Sequence, residues 1–228
     1  MTRQIKIDFI SDVSCPWCVI GLMSLREALR RVDGLVDAEI RFQPFELNPN
    51  MPPEGQNIVQ HVGEKYGASP ERSAANREAI RASADELGFR MAMSDKSRIY
   101  NTFDAHRLLH WAAGEGRQGA LKQALFEAYF SRGLDPSDHA VLAALAAEAG
   151  LDRDAAADVL ATGRYADEVR AAEARWREEG IDAVPTLIID DEYVITGGHP
   201  PAAFERALRK IAAGPAASRR VEDGAPRS

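Results

Sequence analysis

Ile5-Lys6-Ile7-Asp8-Phe9-Ile10-Ser11-Asp12-Val13-Ser14-Cys15-Pro16-Trp17-Cys18 is the stretch on which the fold turns. Ile5, Ile7 and Phe9 alternate with Lys6 and Asp8, which predicts a strand over 5–11. Cys15-Pro16-Trp17-Cys18 follows at once. Beyond it Leu22, Leu25, Leu29 and Val32 recur at helical spacing, so an amphipathic helix begins at the cysteines and ends near Gly34. Ala38, Ile40 and Phe42 then alternate with Glu39, Arg41 and Gln43, a second strand over 38–46. Strand, helix and strand in so short a span predict a parallel pair joined by a right-handed crossover.

Outward from there the pattern changes. Asn48-Pro49-Asn50-Met51-Pro52-Pro53-Glu54-Gly55 reads as a loop, and from about 57 to 180 only helical patterns are found. Helices are expected over 71–87, 101–114 and 119–132, then from an Asp138 cap to Gly150, from an Asp152 cap to Gly163, and from about 165 to Gly180. Strand character returns at Val184–Ile189, turns at Asp190-Asp191-Glu192, and resumes at Tyr193-Val194-Ile195, a hairpin. Gly197-Gly198 breaks it, and 201–213 forms a closing helix. With the helical block set aside, the order β-α-β then β-β-α resembles the thioredoxin arrangement. The expected class is α/β, a thioredoxin-like fold with an inserted all-helical domain. Residues 1–55 and 181–213 would be its two halves, 56–180 the insertion, and 214–228 a polar, aperiodic, disordered tail.

The 228 residues suffice for one sizeable domain, or for one domain set into another. Against 28 basic residues stand 35 acidic ones, a formal net charge of −7. No basic footprint marks a nucleic-acid or anionic-membrane partner. No stretch is long and apolar enough to span a bilayer. The opening Met1-Thr2-Arg3-Gln4-Ile5-Lys6 shows no secretory signal, so a cytoplasmic setting is expected.

The chain holds two cysteines, and they stand three positions apart. A structural disulfide framework would use more cysteines and wider spacing. Two thiols one helical turn apart can close and reopen a small ring without unfolding anything. Cys15 falls at the start of the helix, where unpaired N–H groups and the positive dipole end favour a thiolate. It is the expected nucleophile, and Cys18, one turn inside, the resolving thiol. Pro16 suits the first helical position, and Trp17 offers a flat apolar face beside the attacking sulfur.

Competing readings are half of a zinc site or coincidence. Zinc would want two further thiolates or imidazoles, and the nearest pair is His106 and His110 at helical spacing; no metal is expected. His106 and Arg107 sit on the helix expected to face the cleft. His106 is a candidate substrate contact, with a salt-bridged or satisfied core residue as the competing reading. Asp12 reads as a turn residue or cap, and Trp111 and Trp176 as packing residues of the helical block. His61 and His139 show no constellation.

Several segments together carry a family resemblance. Asp12-Val-Ser-Cys-Pro-Trp-Cys-Val-Ile-Gly21, Phe42-Gln-Pro-Phe-Glu-Leu-Asn-Pro49, Asn101-Thr-Phe-Asp-Ala-His-Arg-Leu108, Leu125-Phe-Glu-Ala-Tyr-Phe130 and Gly180-Ile-Asp-Ala-Val-Pro-Thr186 resemble the DsbA-like family, in particular its FrnE-like branch of polyketide-associated disulfide oxidoreductases. The likeness spans about 5–212. It implies a thiol–disulfide oxidoreductase in which Cys15 forms a mixed disulfide that Cys18 resolves, with Pro185 a cis-proline facing the cysteines. It also implies protein or small-molecule thiols and disulfides as partners, and often a homodimer. Some relatives carry a further C-terminal cysteine pair that this chain lacks. Kappa-class glutathione transferases and 2-hydroxychromene-2-carboxylate isomerases are similar in plan but typically put Ser where Cys15 stands. Asn48, Val184 and Gly197-Gly198-His199 lie where such relatives hold glutathione. Glutathione is thus a candidate co-substrate, and a Cys15-only isomerase or transferase the alternative. A third, non-enzymatic reading is a redox-gated binding module using the apolar cleft beside Trp17.

Overall fold

The computed structural model of the chain describes residues 2–214. The tail expected from 214 onward lies, Gly214 apart, outside them. Four strands form one sheet in the order β2-β1-β5-β6. Strand β1 (Arg3–Ser11) runs parallel to β2 (Val36–Pro44), from Arg3 opposite Val36 to Ser11 opposite Pro44. The helix α1 (Pro16–Arg31) makes the crossover. On its other side β1 pairs antiparallel with β5 (Thr186–Ile189), which pairs antiparallel with β6 (Tyr193–Thr196).

Two strand limits differ from expectation, each at a proline. Strand β2 leaves the ladder at Pro44 rather than 46, and β5 begins at Thr186 rather than Val184. Proline has no N–H to donate, so a ladder ends or starts beside it. The hairpin turn fell where expected. Asp190 and Asp191 adopt positive φ (53° and 56°), and Asp190 accepts from the Lys6 N–H at 2.9 Å, tying the turn to β1.

Alternation along β1 divides its side chains between two cores. Ile5, Ile7 and Phe9 join Leu187 and Ile189 beneath α1 and the closing helix. Ile10 and Ile188 face the other way, onto Phe45 and Trp176. Trp176 therefore seats the helical block on the sheet, rather than filling the block's own interior.

Between the strand pairs, among the described residues, run α2 (Ile58–Tyr66), α3 (Pro70–Asp85), α4 (Phe103–Gly114), α5 (Gln118–Phe126), α6 (His139–Glu148), α7 (Arg153–Thr162) and α8 (Ala166–Glu178). The closing helix is α9 (Pro201–Ala212), and it packs against α1. Asp138 and Asp152 cap α6 and α7 with their carboxylates, as their positions suggested. The block is not purely helical, which corrects the expectation for 56–180. A short antiparallel pair, β3 (Gln56–Asn57) with β4 (Arg98–Ile99), closes a long excursion. The helix expected over 119–132 is also interrupted. After α5 the chain widens into a π-helical turn at Glu127–Ser131.

Candidate active site

The loop from β1 into α1 is buried throughout. Asp12 and Val13 have no exposed surface, and Ser14 and Cys15 are 6% and 4% exposed. Val13 packs into the helical core formed by α4, α5, α6 and α7. The Asp12 carboxylate ties two loops together. Oδ1 accepts from the Ser14 N–H at 3.1 Å, and Oδ2 from the Leu47 N–H at 2.7 Å. Burial raises this carboxyl, but His106 beside it and the two backbone donors outweigh burial, and it sits below its ordinary value.

Cys15 is the N-cap residue of α1 in extended conformation, with Pro16 at the first helical position. Its Sγ lies 3.6 Å from the Val184 carbonyl oxygen. The Val184–Pro185 peptide bond is cis. Cys18 is directly behind, with no exposed surface. Burial first, and then its neighbour Cys15, push the Cys18 thiol well above its ordinary range. Both cysteines are free thiols here.

Glycine makes this packing fit at two places. A Cβ on Gly21 would stand 2.9 Å from Cγ of Pro185, so the missing side chain lets the proline ring rest on α1. A Cβ on Gly198 would stand 2.9 Å from the Trp17 carbonyl oxygen, so the Gly197-Gly198 turn lies against the backbone of the cysteine motif.

In front of Cys15 opens a cavity of about 710 Å³. Three of the four expected substrate contacts line it with Cys15: Trp17, Asn48 and Val184. Trp17 is 44% exposed, so its ring is free to meet a ligand. Lys65 donates to Oδ1 of Asn48 at 2.8 Å and fixes its amide. Tyr66, Tyr129, Phe130, Met93 and Arg77 line the same cavity. The π-helical turn supplies Tyr129 and Phe130, and the Tyr129 hydroxyl donates to the Arg98 carbonyl at 2.8 Å. His61, which showed no constellation in the sequence, lines the cavity as well.

The fourth expected contact, His106, is not at the cleft, which corrects its assignment. It is 2% exposed, with Nε2 3.8 Å from Oδ1 of Asp12, behind the cysteine loop. The face of α4 that carries it turns toward β2, where it borders a second cavity of about 420 Å³. Arg107 is a structural group. It donates to the Arg164 carbonyl at 2.9 Å and to Asp104 at 2.6 Å, and binds the Val159 carbonyl at the end of α7. His110 lies against the Tyr165 ring, 5.2 Å between centroids. Among the described residues no three His, Cys, Asp or Glu side chains gather as metal ligands would.

One buried group had escaped the sequence. Lys122 on α5 has no exposed surface, and its Nζ makes no hydrogen bond to any described group. It lies over the rings of Phe126 and Phe42, at 4.9 and 5.9 Å from their centroids. Burial pushes it down to about 8, against the pull of Cys18, Asp12 and Cys15. The signal was there: Lys122, Leu125, Phe126 and Tyr129 share one helical stripe, which puts the lysine on an inward face.

A family model described as the DSBA-like thioredoxin domain matches residues 6–209. YwbO of Bacillus subtilis is 30% identical over 209 residues, 91% of this chain and 96% of its own. The crystal structure of a probable DsbA oxidoreductase from Streptomyces coelicolor superposes with a TM-score of 0.83 at 32% identity, covering 96% of this chain and 94% of that one. The cytosolic disulfide reductase DsbM from Pseudomonas aeruginosa, solved with GSH, shares the fold at a TM-score of 0.59 and 17% identity, covering 90% of this chain and 98% of its own. No described helix is long and apolar enough to cross a membrane. The chain belongs to the DsbA-like thioredoxin domain family of disulfide oxidoreductases.

Proposed function

We propose that this protein is a thiol–disulfide oxidoreductase that works through a mixed disulfide on Cys15. One observation carries the reading: the Cys15 thiol stands at the cavity wall against the Val184 carbonyl, with Cys18 buried behind it on the first turn of the same helix. The Cys15 thiolate attacks a substrate disulfide. A bond forms from Cys15 to one substrate sulfur, the substrate S–S bond breaks, and the other sulfur leaves as a thiolate. Cys18, once deprotonated, attacks Cys15. The bond from Cys15 to substrate breaks and the second substrate thiolate leaves. The substrate gains two electrons, and the cysteine pair supplies them and closes as a disulfide.

Reopening that disulfide needs an external thiol. Asn48 and Val184 beside Cys15, and the fold shared with a protein solved with GSH, support glutathione as this co-substrate. In a reducing cytoplasm, the expected setting, the pair rests as a dithiol, and reduction or isomerisation of disulfides is the favoured direction. The apolar depth of the cavity also favours a second reading, glutathione-dependent isomerisation or transfer that uses Cys15 alone.

Insulin reduction, driven by glutathione and by dithiothreitol, separates the two. The wild type should accelerate it, Cys15→Ser should not, and Cys18→Ala should lose turnover. Full activity of Cys18→Ala with glutathione would refute the dithiol cycle and leave the Cys15-only chemistry.

A further inference from the structure

Among the described residues five large apolar side chains are exposed: Trp17, Leu35, Tyr66, Leu134 and Val194. The two aromatic ones, Trp17 and Tyr66, both line the front cavity. Its volume of about 710 Å³ falls in the range that small molecules fill. Cys15 itself is only 4% exposed, so what reaches its sulfur has to enter the cavity.

The charge of the cavity runs against the charge of the chain. The whole molecule carries a formal −7, yet three cations line this cavity, Arg77, Lys96 and Arg98, against one carboxylate, Asp182. The three are not equivalent. Arg98 commits Nε and Nη2 to the Glu54 and Gly55 carbonyls. Lys96 is exposed to solvent. Arg77 is half-buried on α3, and its Nη1 donates to Oγ of the buried Ser73 at 2.8 Å. That bond leaves Nε and Nη2 of Arg77 without a partner among the described residues, and no described carboxylate pairs with it. These two nitrogens form the edge of a guanidinium that takes a carboxylate through two parallel bonds. Elsewhere in this fold the same edge does so: Nε and Nη2 of Arg30 hold Glu27, and those of Arg41 hold Glu39, each at 2.8 Å.

We infer that the front cavity selects a disulfide whose entering half is a flat aromatic acid, its ring meeting Trp17 and Tyr66 and its carboxylate held by Nε and Nη2 of Arg77. This rests on the mixed-disulfide reading above and names the substrate class for it. An aliphatic acid would leave the two rings unused, and a neutral aromatic would leave Arg77 covered and unpaired. Arg77 is thus a specificity-determining residue and adds no bond-making step. The Cys15 thiolate forms its bond to one substrate sulfur, the substrate S–S bond breaks, and the other half leaves as a thiolate with the electron pair. Arg77 stands on α3 of the helical block, whereas the contacts proposed for glutathione, Asn48 and Val184, lie in the loops after β2 and before β5.

Two chromogenic disulfides test this: dithiobis-nitrobenzoate, with a carboxylate on each ring, and dithiodipyridine, whose rings are uncharged at neutral pH. Each releases a coloured product when Cys15 of the reduced enzyme attacks, and the half-saturating concentration is read for both. Wild type should saturate with the nitrobenzoate at the lower concentration. Arg77→Gln should shift the ratio of the two by at least about tenfold toward the neutral probe, the size of one lost charge-assisted pair. Arg77→Lys, which keeps the charge but not the fork, should recover only part of it. Lys96→Gln should move the ratio by less than about twofold. Tyr66→Ala should weaken both probes alike, by about 2- to 10-fold, since contact with a ring is blind to the carboxylate. An unchanged ratio in folded Arg77→Gln would overturn the inference. So would an equal shift in Lys96→Gln, which would make the attraction diffuse, or Tyr66→Ala without effect on either probe. Should Arg77→Gln not fold, a wild type with no preference for the nitrobenzoate overturns it equally. Release of neither colour by wild type, or of both by Cys15→Ser, would instead overturn the mixed-disulfide reading itself.

Discussion

Lys122 gives up its hydration for two aromatic faces, and that choice has a thermodynamic signature. Unfolded, the side chain keeps its proton up to about pH 10.5; folded, only up to about 8. Between those values the unfolded chain binds more protons, so this group makes stability rise with pH across the window and fall as pH drops through it. Below pH 8 both states are charged and the burial penalty is complete. The gap corresponds to about 3 kcal/mol. Lys122→Met should therefore unfold at higher urea than wild type at pH 7, by up to about 3 kcal/mol, and the difference should close toward pH 10.5. A variant less stable than wild type at pH 7 would contradict this. At this scale the sequence was legible wherever chemistry follows chain neighbours: Cys15, Cys18 and the cis bond before Pro185 lie as read. It was illegible for His106, because which face of a helix meets which cleft depends on partners far along the chain. Gly21 shows the same limit, since only the folded chain brings Pro185 onto it.

The elements are joined by a small buried network at the end of β2. Glu46 and Glu173 are 2% and 0% exposed and share Arg170, while the Glu46 N–H donates to Glu173 and Asn101 donates to Glu46. This links β2, the start of α4, and α8. Burial, and then Glu173, raise the Glu46 carboxyl above its ordinary value despite Arg170. An acid raised in the folded state loses its proton first when unfolded, so its contribution to stability falls as pH climbs through the carboxylate range. Arg170→Gln leaves two buried carboxylates facing each other and should cost about 2–3 kcal/mol at pH 7. That is below the usual figure for breaking a buried pair, because the Arg170 side chain is 47% exposed. The loss should shrink toward pH 5, where the pair can share a proton. Melting temperatures at the two pH values check this, and an equal loss at both would mean that charge is not the cause. Elements were readable from the sequence where their ends are local. Asp138, Asp152 and Gly163 mark helix ends through their own side chains or backbone. The pairing of Gln56-Asn57 with Arg98-Ile99 was not, since two-residue strands have no period and find each other only after α2 and α3 have formed.

At the scale of the molecule, the order of elements suggests two units, but the packing makes one. The cluster beneath the sheet combines Ile7 and Phe9 of β1, Leu187 of β5 and Phe204 of α9 with Ala84, Phe89, Met91, Phe126 and Phe130 from the helical block. The block's own core in turn receives Val13 from the cysteine loop. Neither part can lose its interior without opening the other, and a shared interior predicts cooperative unfolding. Urea denaturation should give one midpoint by far-UV circular dichroism and by tryptophan fluorescence, which reads Trp111 and Trp176 in the block and Trp17 at the site. Two midpoints would show that residues 56–180 fold on their own, as the sequence order implies. The single-transition outcome has a functional corollary. Lys122 of α5 lies over Phe42 of β2, and Tyr129 and Phe130 reach the front cavity from the turn that follows. The helices would then be held by the same cooperative interior that sets Cys15 against Val184, so a loosened block should blunt the chemistry before the sheet itself is lost.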